Sequence, residues 1–208
     1  MGPTIDEING VQFSILGPDE IRKMSVVEVT RLETYEKDIP VVKGLFDIRM
    51  GTTDMGAMCN TCGLNNKGCP GHFGHIELAR PVYHYHFIDV TMNLLKCICF
   101  RCGGLLVDKE SVEHIKHKPN KSRWKDLCKL CSNIDRCGRD TDGGCGCKQP
   151  DRYKLNGISG IQAIWKDVNQ VQNLSAEYVR SLFEKITEED MTILGFNSQW
   201  CKPEWLIC

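Results

Sequence analysis

The 208-residue chain lacks net charge, long apolar runs and a leader-like start, and each absence removes a class of function. Its 26 Lys and Arg against 27 Asp and Glu leave a charge of −1, so nothing global draws it to nucleic acid or an anionic membrane. Any such contact must come from a local patch or a larger assembly. No stretch approaches the roughly 18 apolar residues of a membrane span. The opening MGPTIDEING has neither the basic n-region nor the apolar core of a secretion signal. Asp6 stands where a myristoylation signal following Gly2 wants Ser or Thr. A hydrophobic fraction of 41% with 25% charged residues excludes wholesale disorder, and the length allows one ordinary domain or two small ones. The expectation is a soluble chain of the cytoplasm or nucleus.

Cysteine is what the chain has in quantity. Thirteen thiols cannot all pair, and with no export signal they point to a reducing compartment and thiolate metal ligands rather than a disulfide scaffold.

The segment VQFSILGPDEIRKMSVVEVT predicts a half-buried strand on the alternation Val11, Phe13, Ile15, then a short helix entered through Gly17-Pro18-Asp19-Glu20. TYEKDIPVVKGLFDIRMGTTD has no sustained period and reads as loop-rich. After Pro81 the run VYHYHFIDVTMNLLKCICF is apolar and helix-compatible. His84 and His86 within it have no third ligand at a convenient spacing, and packing is their simpler role. Residues 109–129 hold seven Lys/Arg against three Asp/Glu. Such a run is ordinarily a solvated surface excursion; the functional alternative is a phosphate-contacting tip using Lys118, Lys121 and Arg123, with Trp124 beside them.

RDTDGGCGCKQPDRYKLNG reads as a turn-dense linker, Asp140-Thr141-Asp142 included. LSAEYVRSLFEKI predicts a helix capped by Ser175 with the stripe Leu174, Tyr178, Leu182, Phe183. TEEDMTILG predicts another, from a Thr187–Asp190 capping pattern to Gly195. The end, WCKPEWLIC, is apolar where a natural terminus is usually polar, so truncation at 208 is expected. No repeat of fixed period is evident.

Two cysteine groups carry the chemistry. Cys59-x2-Cys62 is a knuckle, and Cys69-x2-His72 repeats its spacing with an imidazole as fourth donor. A closed Cys3His set suits tetrahedral zinc and leaves no position for water, so the ion is structural. A catalytic thiol would want one thiolate and a separate base instead. His75 could replace His72, but only Cys69-x2-His72 mirrors the first pair. The second group starts from Cys99-x2-Cys102, with Cys97 out of register, and draws its partners from Cys128, Cys131, Cys137, Cys145 and Cys147. Spacing alone makes Cys128-x2-Cys131 the natural second knuckle and Cys137 with Cys145 the competing pair. Surplus cysteines of this kind commonly end as buried free thiols.

The stretch CNTCGLNNKGCPGHFGHIELARPVYH closely resembles the first zinc loop in the largest subunit of multisubunit DNA-directed RNA polymerases. VQFSILGPDEIRKMSV, GLFDIRMGTTD, CICFRCGGLLVD, GGCGCKQP and LGFNSQWCKPEWLIC resemble further segments of that family in family order, closest to the eukaryotic nuclear type that makes messenger RNA. The resemblance implies an α+β, irregular, loop-rich clamp module stabilised by two structural zinc ions. It implies a clamp core over 1–95 with its zinc loop at 59–72, a clamp head over 96–150, and a helical return segment over 151–208.

Carried over by position, the first zinc is held by Cys59, Cys62, Cys69 and His72. The second is held by Cys99, Cys102, Cys145 and Cys137, with Cys131 or Cys128 the alternative to Cys137. The implied partners are the other polymerase subunits, including the second-largest, with DNA and the RNA–DNA hybrid in the cleft. The family's magnesium-binding NADFDGD triad is absent here, so the chain alone is expected to be inactive. Localisation would be nuclear. A shortened insertion between the distal ligands, and Asp47-Ile48-Arg49 in place of Asp-Pro-Arg, suggest a diverged member such as that of a large DNA virus, placed in virion or host cytoplasm. The reading from another class is a stand-alone zinc-ribbon adaptor for nucleic acid or protein. A zinc hydrolase fails for want of an open coordination position.

Overall fold

The computed structural model describes residues 9–11, 13–139, 143–157, 160–197, 199 and 201–208, with the backbone alone at 120. Asp140-Thr141-Asp142 lies outside the described residues. The chain divides into two units, Leu16–Arg80 and Pro81–Cys208, the second including the residues up to Ile15.

Leu16–Arg80 opens with helix α1 (Pro18–Met24), where Pro18 sits among the first helical residues that need no amide partner. The Gly17 N–H donates to Glu20 Oε2 at 3.0 Å. Strand β1 (Val27–Glu28) pairs in parallel with β4 (Gly74–His75), and β2 (Tyr35–Glu36) pairs antiparallel with β3 (Ile39–Pro40). Lys37 and Asp38 make the hairpin turn with φ of 50° and 62°, the left-handed geometry that suits the twist of a two-residue hairpin. Each strand is two residues long, and the unit's buried apolar side chains are Val27, Val41 and Cys59. Such a unit cannot rest on an apolar core.

The second unit has that core. Helix α2 (Ile88–Cys97) buries Ile88, Thr91, Leu94, Leu95 and Cys97. Helix α3 (Lys109–Val112) is capped by Asp108, and after a 3-10 turn and Pro119 comes α4 (Asn120–Cys131), which packs on α2. A three-stranded antiparallel meander follows, β5 (Arg152–Asn156), β6 (Gly160–Trp165) and β7 (Gln170–Leu174), with Ile161, Ala163 and Trp165 of the central strand buried. Ser175 Oγ accepts from the Tyr178 N–H to start α5 (Ala176–Phe183), and Thr187 Oγ1 accepts from Asp190 to start α6 (Glu188–Leu194). Gly195 ends α6 at φ 81°, the stop its position predicts. The C-terminal segment returns to the front of the unit: Cys208 N–H donates to Val82 O and Val82 N–H to Cys208 O, each at 2.8 Å.

Three expectations change. Val11 and Phe13 are 79% and 94% exposed and lie in no strand, since alternation alone makes none and among the described residues no strand pairs with them; Ile15 does pack on the core. The basic stretch 109–129 is no loose excursion: Val112, Ile115 and Leu127 are buried, and the charges decorate the outer faces. The supposed linker ends in β5, an edge strand that is polar because four of its five residues are exposed.

Candidate metal centres

The first centre is built by loops. In the knuckle the Cys59 N–H donates to Leu64 O (2.9 Å), the Gly63 N–H to Cys59 O (2.8 Å), and the Thr61 N–H to Cys59 Sγ (3.4 Å). Cys69 repeats the device, its sulfur accepting from the Gly71 N–H at 3.4 Å. The Cys69 Sγ lies 3.7 Å from His72 Nε2, and the ligand atoms of Cys59, Cys62, Cys69 and His72 all lie within 4.8 Å of one another. Burial opposes a thiolate at Cys59, but the amides of Cys62 and Thr61 and the neighbouring thiols prevail and bring it down to about 6.

An ion pair between a half-buried Arg49 and a buried Asp47 braces this loop. Asp47, 2% exposed, accepts from Arg49 Nη2 (2.6 Å) and Nε (2.9 Å) and from the backbone of Lys43 and Arg49. The Arg49 side chain, first, and those backbone donors hold the Asp47 carboxyl well below the usual carboxylate range against its burial. The segment thus fixed offers Arg49 O to Thr61 Oγ1 (2.6 Å) and Met50 O to the His72 N–H (2.8 Å). His75 lies apart on β4, its Nδ1 2.7 Å from Ser25 Oγ.

The second centre repeats the first knuckle bond for bond. Cys99 N–H donates to Gly104 O (2.7 Å), Gly103 N–H to Cys99 O (3.0 Å), and Arg101 N–H to Cys99 Sγ (3.4 Å). Cys137 and Cys145 face this knuckle, with Cys99–Cys145 sulfurs at 3.5 Å and Cys102–Cys137 at 3.7 Å. A tetrahedral ion with metal–sulfur bonds of about 2.3 Å needs sulfurs about 3.8 Å apart, so the donor set fits zinc in kind and spacing. All four sulfurs lie within 4.8 Å of one another, and among the described residues these two tetrads are the groups that converge. At Cys99 burial again opposes ionisation, and the amides of Cys102 and Arg101 with the neighbouring thiols lower the thiol to about 7.

Cys128 and Cys131 sit elsewhere, on the face of α4 turned to Cys97. A CxxC on a helix and one in a knuckle look alike in sequence; the difference here is the stripe Trp124, Leu127, Cys128, Cys131, which is helical in period. Gln149 is the residue that sequence reasoning missed. Its Nε2 donates to Cys99 Sγ (3.3 Å) and Cys147 O (2.8 Å), and its Oε1 accepts from the Phe100 N–H (2.7 Å). Its sequence signal is its place in GGCGCKQP, four residues past the ligand Cys145.

At the basic tip, Arg123 is committed internally, its guanidinium donating to the carbonyls of Lys116, Lys118 (3.1 Å) and Thr192 (3.4 Å). Lys118 pairs with Asp126 at 2.7 Å, and Lys121 is exposed. His84 packs on Phe87, ring centroids 4.7 Å apart. Among the described residues no helix is long and apolar enough to cross a membrane.

Residues 5–208 match the family described as RNA polymerase Rpb1, domain 1. Over 218 aligned residues the chain is 39% identical to the DNA-directed RNA polymerase II subunit RPB1 of Euplotoides octocarinatus. That alignment takes in 97% of this chain and 45% of the relative, so the chain spans about half the relative's length.

Proposed function

This chain belongs to the RNA polymerase Rpb1, domain 1, family as an N-terminal region of a largest subunit, and from that premise we propose that it is a clamp segment that helps close the polymerase cleft over template DNA and the RNA–DNA hybrid. Its contribution is mechanical. The observation that carries this reading is the pair of closed tetrads, one of them in a unit with three buried apolar side chains. We assign zinc to both, since three or four thiolates in a tetrahedral closed set favour that ion. In Leu16–Arg80 the metal takes the place of a core, its binding free energy offsetting the ordering of the loops. The nucleotidyl-transfer chemistry and its magnesium-binding aspartates are assigned to sequence outside this chain. The nucleus is the compartment in which a subunit of this type works, and other polymerase subunits, including the second-largest, are its partners.

Lys118, Lys121 and Arg123 are proposed to approach nucleic acid as a phosphate-contacting tip that carries no sequence information. The exposed Lys121 would act directly. Lys118, about two-fifths exposed and tied to Asp126, and Arg123, bound to three carbonyls, would act mainly by shaping the tip. In the assembled polymerase, Lys121→Glu should weaken salt-sensitive DNA association; an unchanged salt slope would mark the tip as plain surface. The test of the main reading is elemental analysis of the purified subunit, expected to give two zinc ions per chain, with both retained in His75→Ala. One ion or none, or a His75→Ala variant short of one ion, would undo the assignment.

A further inference from the structure

Outside both tetrads lies a third group of thiols. Cys97 is the last residue of α2 and wholly buried; Cys128 and Cys131 lie on the final turn and a half of α4. The sulfurs of Cys97 and Cys128 are 3.8 Å apart, in contact with no side chain between them. Cys131 Sγ lies 3.8 Å from the Cys97 carbonyl oxygen and its thiol also acts on that of Cys97, but the direct sulfur–sulfur contact is the one with Cys128. The three sulfurs do not converge as the tetrads do, and no carboxylate or imidazole completes them among the described residues. Cys97 and Cys128 are therefore placed as a pair.

We propose that Cys97 and Cys128 form a reversible disulfide when the protein meets a peroxide. Cys128 is half-buried and Cys97 is sealed in, so Cys128 is the sulfur a small oxidant reaches. Cys128 reacts through its thiolate, which the hydrogen bond with Cys97 and nearby Lys96 favour against burial. Its sulfur attacks a peroxide oxygen: the S–O bond forms, the O–O bond breaks, and the departing hydroxide leaves as water with the thiol's proton. The Cys97 sulfur then attacks the sulfenic sulfur of Cys128; the S–S bond forms, the S–O bond breaks, and the hydroxide leaves as a second water with the Cys97 proton. The two sulfurs give up two electrons and the peroxide takes them. A dithiol reductant reverses the reaction by exchange.

The position gives the bond a consequence. It would close a loop between residues 31 apart in sequence. Cys99 and Cys102 lie inside that loop, and Cys137 follows α4 six residues after Cys131. Oxidation would thus tie together the two arms of chain that enter the second tetrad, while leaving its ligands unused.

The experiment exposes the assembled, metal-loaded subunit to graded hydrogen peroxide, caps remaining thiols under denaturing conditions, and maps peptides by mass spectrometry. The expected product is a Cys97–Cys128 peptide pair two hydrogens lighter than its thiols, formed while metal content is unchanged and removed by dithiothreitol. Cys128→Ser should abolish it and Cys131→Ser should leave it. The proposal is overturned if Cys97 links to Cys131, if Cys128 advances to sulfinic acid without pairing, or if tetrad thiols oxidise and release metal first. A third metal ion per chain held by these thiols would also overturn it. Should Cys128→Ser misfold, the linkage map of the unsubstituted protein decides alone.

Discussion

Gly63 and Gly103 occupy the same place in the two knuckles, one in each unit of the chain. Each stands four residues after a cysteine, donates its N–H to that cysteine's carbonyl (2.8 and 3.0 Å), and adopts a positive φ, 69° and 77°. The turn wraps the first thiolate so that the amide two residues on reaches its sulfur. Glycine is there because a side chain pays for the left-handed region with about 1–2 kcal/mol.

The surroundings of the two glycines differ, and so should their substitutions. A β-carbon on Gly63 meets nothing within 4 Å, whereas one on Gly103 would sit 2.8 Å from the Leu182 carbonyl oxygen and 3.1 Å from Lys185 Cβ. Gly63→Ala should therefore cost only the conformational penalty and leave two ions bound. Gly103→Ala adds a backbone collision and should cost clearly more, with earlier loss of one ion on titration with a chelator. Equal metal retention in the two variants would show that the fit against α5 is not what constrains Gly103.

The Asp47–Arg49 pair makes a pH prediction. Because the folded carboxyl is held below its unfolded value near 3.9, it stabilises the Leu16–Arg80 unit above that value and loses its contribution as pH falls through the folded value. The carboxyl carbon resonance of Asp47 should stay in its ionised position at pH 4, where ordinary aspartates are half protonated. Asp47→Asn removes the charge while keeping the shape. It should destabilise the unit by roughly 1.5–3 kcal/mol, the range for a hydrogen bond to a charged group, and it should do so at neutral pH. An Asp47 midpoint near 3.9 would mean the pair is not formed in solution.

Much of the site was legible because the ligands come in local pairs. Cys59-x2-Cys62, Cys69-x2-His72 and Cys99-x2-Cys102 name themselves by spacing, since a knuckle is a turn that a few residues specify. The partners of the second knuckle were less legible. Spacing favours Cys128-x2-Cys131, and only the helical stripe through Trp124 and Leu127 shows why those sulfurs point at α2 instead. The caps at Ser175, Thr187 and Gly195 were readable for the same local reason. The β5–β7 meander was not, because its edge strands carry Lys, Arg, Gln and Asn on exposed faces and only Ile161, Ala163 and Trp165 of β6 show the buried alternation. The strand expected at Val11–Ile15 failed in the opposite way: the alternation is present, but among the described residues no strand pairs with it.

Gln149 offers the sharpest separation of the two centres. Its side chain satisfies the Phe100 N–H and Cys147 O and donates to Cys99 Sγ, so it both neutralises part of the sulfur's charge and fixes the distal loop against the knuckle. It is 6% exposed, which leaves no water to replace it. Gln149→Leu keeps the volume and removes all three bonds. Partners of this kind behind a metal ligand are worth roughly 10–100-fold in affinity, so the second centre should release its ion at correspondingly lower chelator concentration. The first centre, in the other unit, should hold its ion as before. Competition with a chromophoric chelator reads both: two equal steps in the unsubstituted protein should become one unchanged step and one early step. If both steps stay in place, the Gln149–Cys99 bond contributes nothing to holding the metal; if both move, the variant has disturbed more than the second centre.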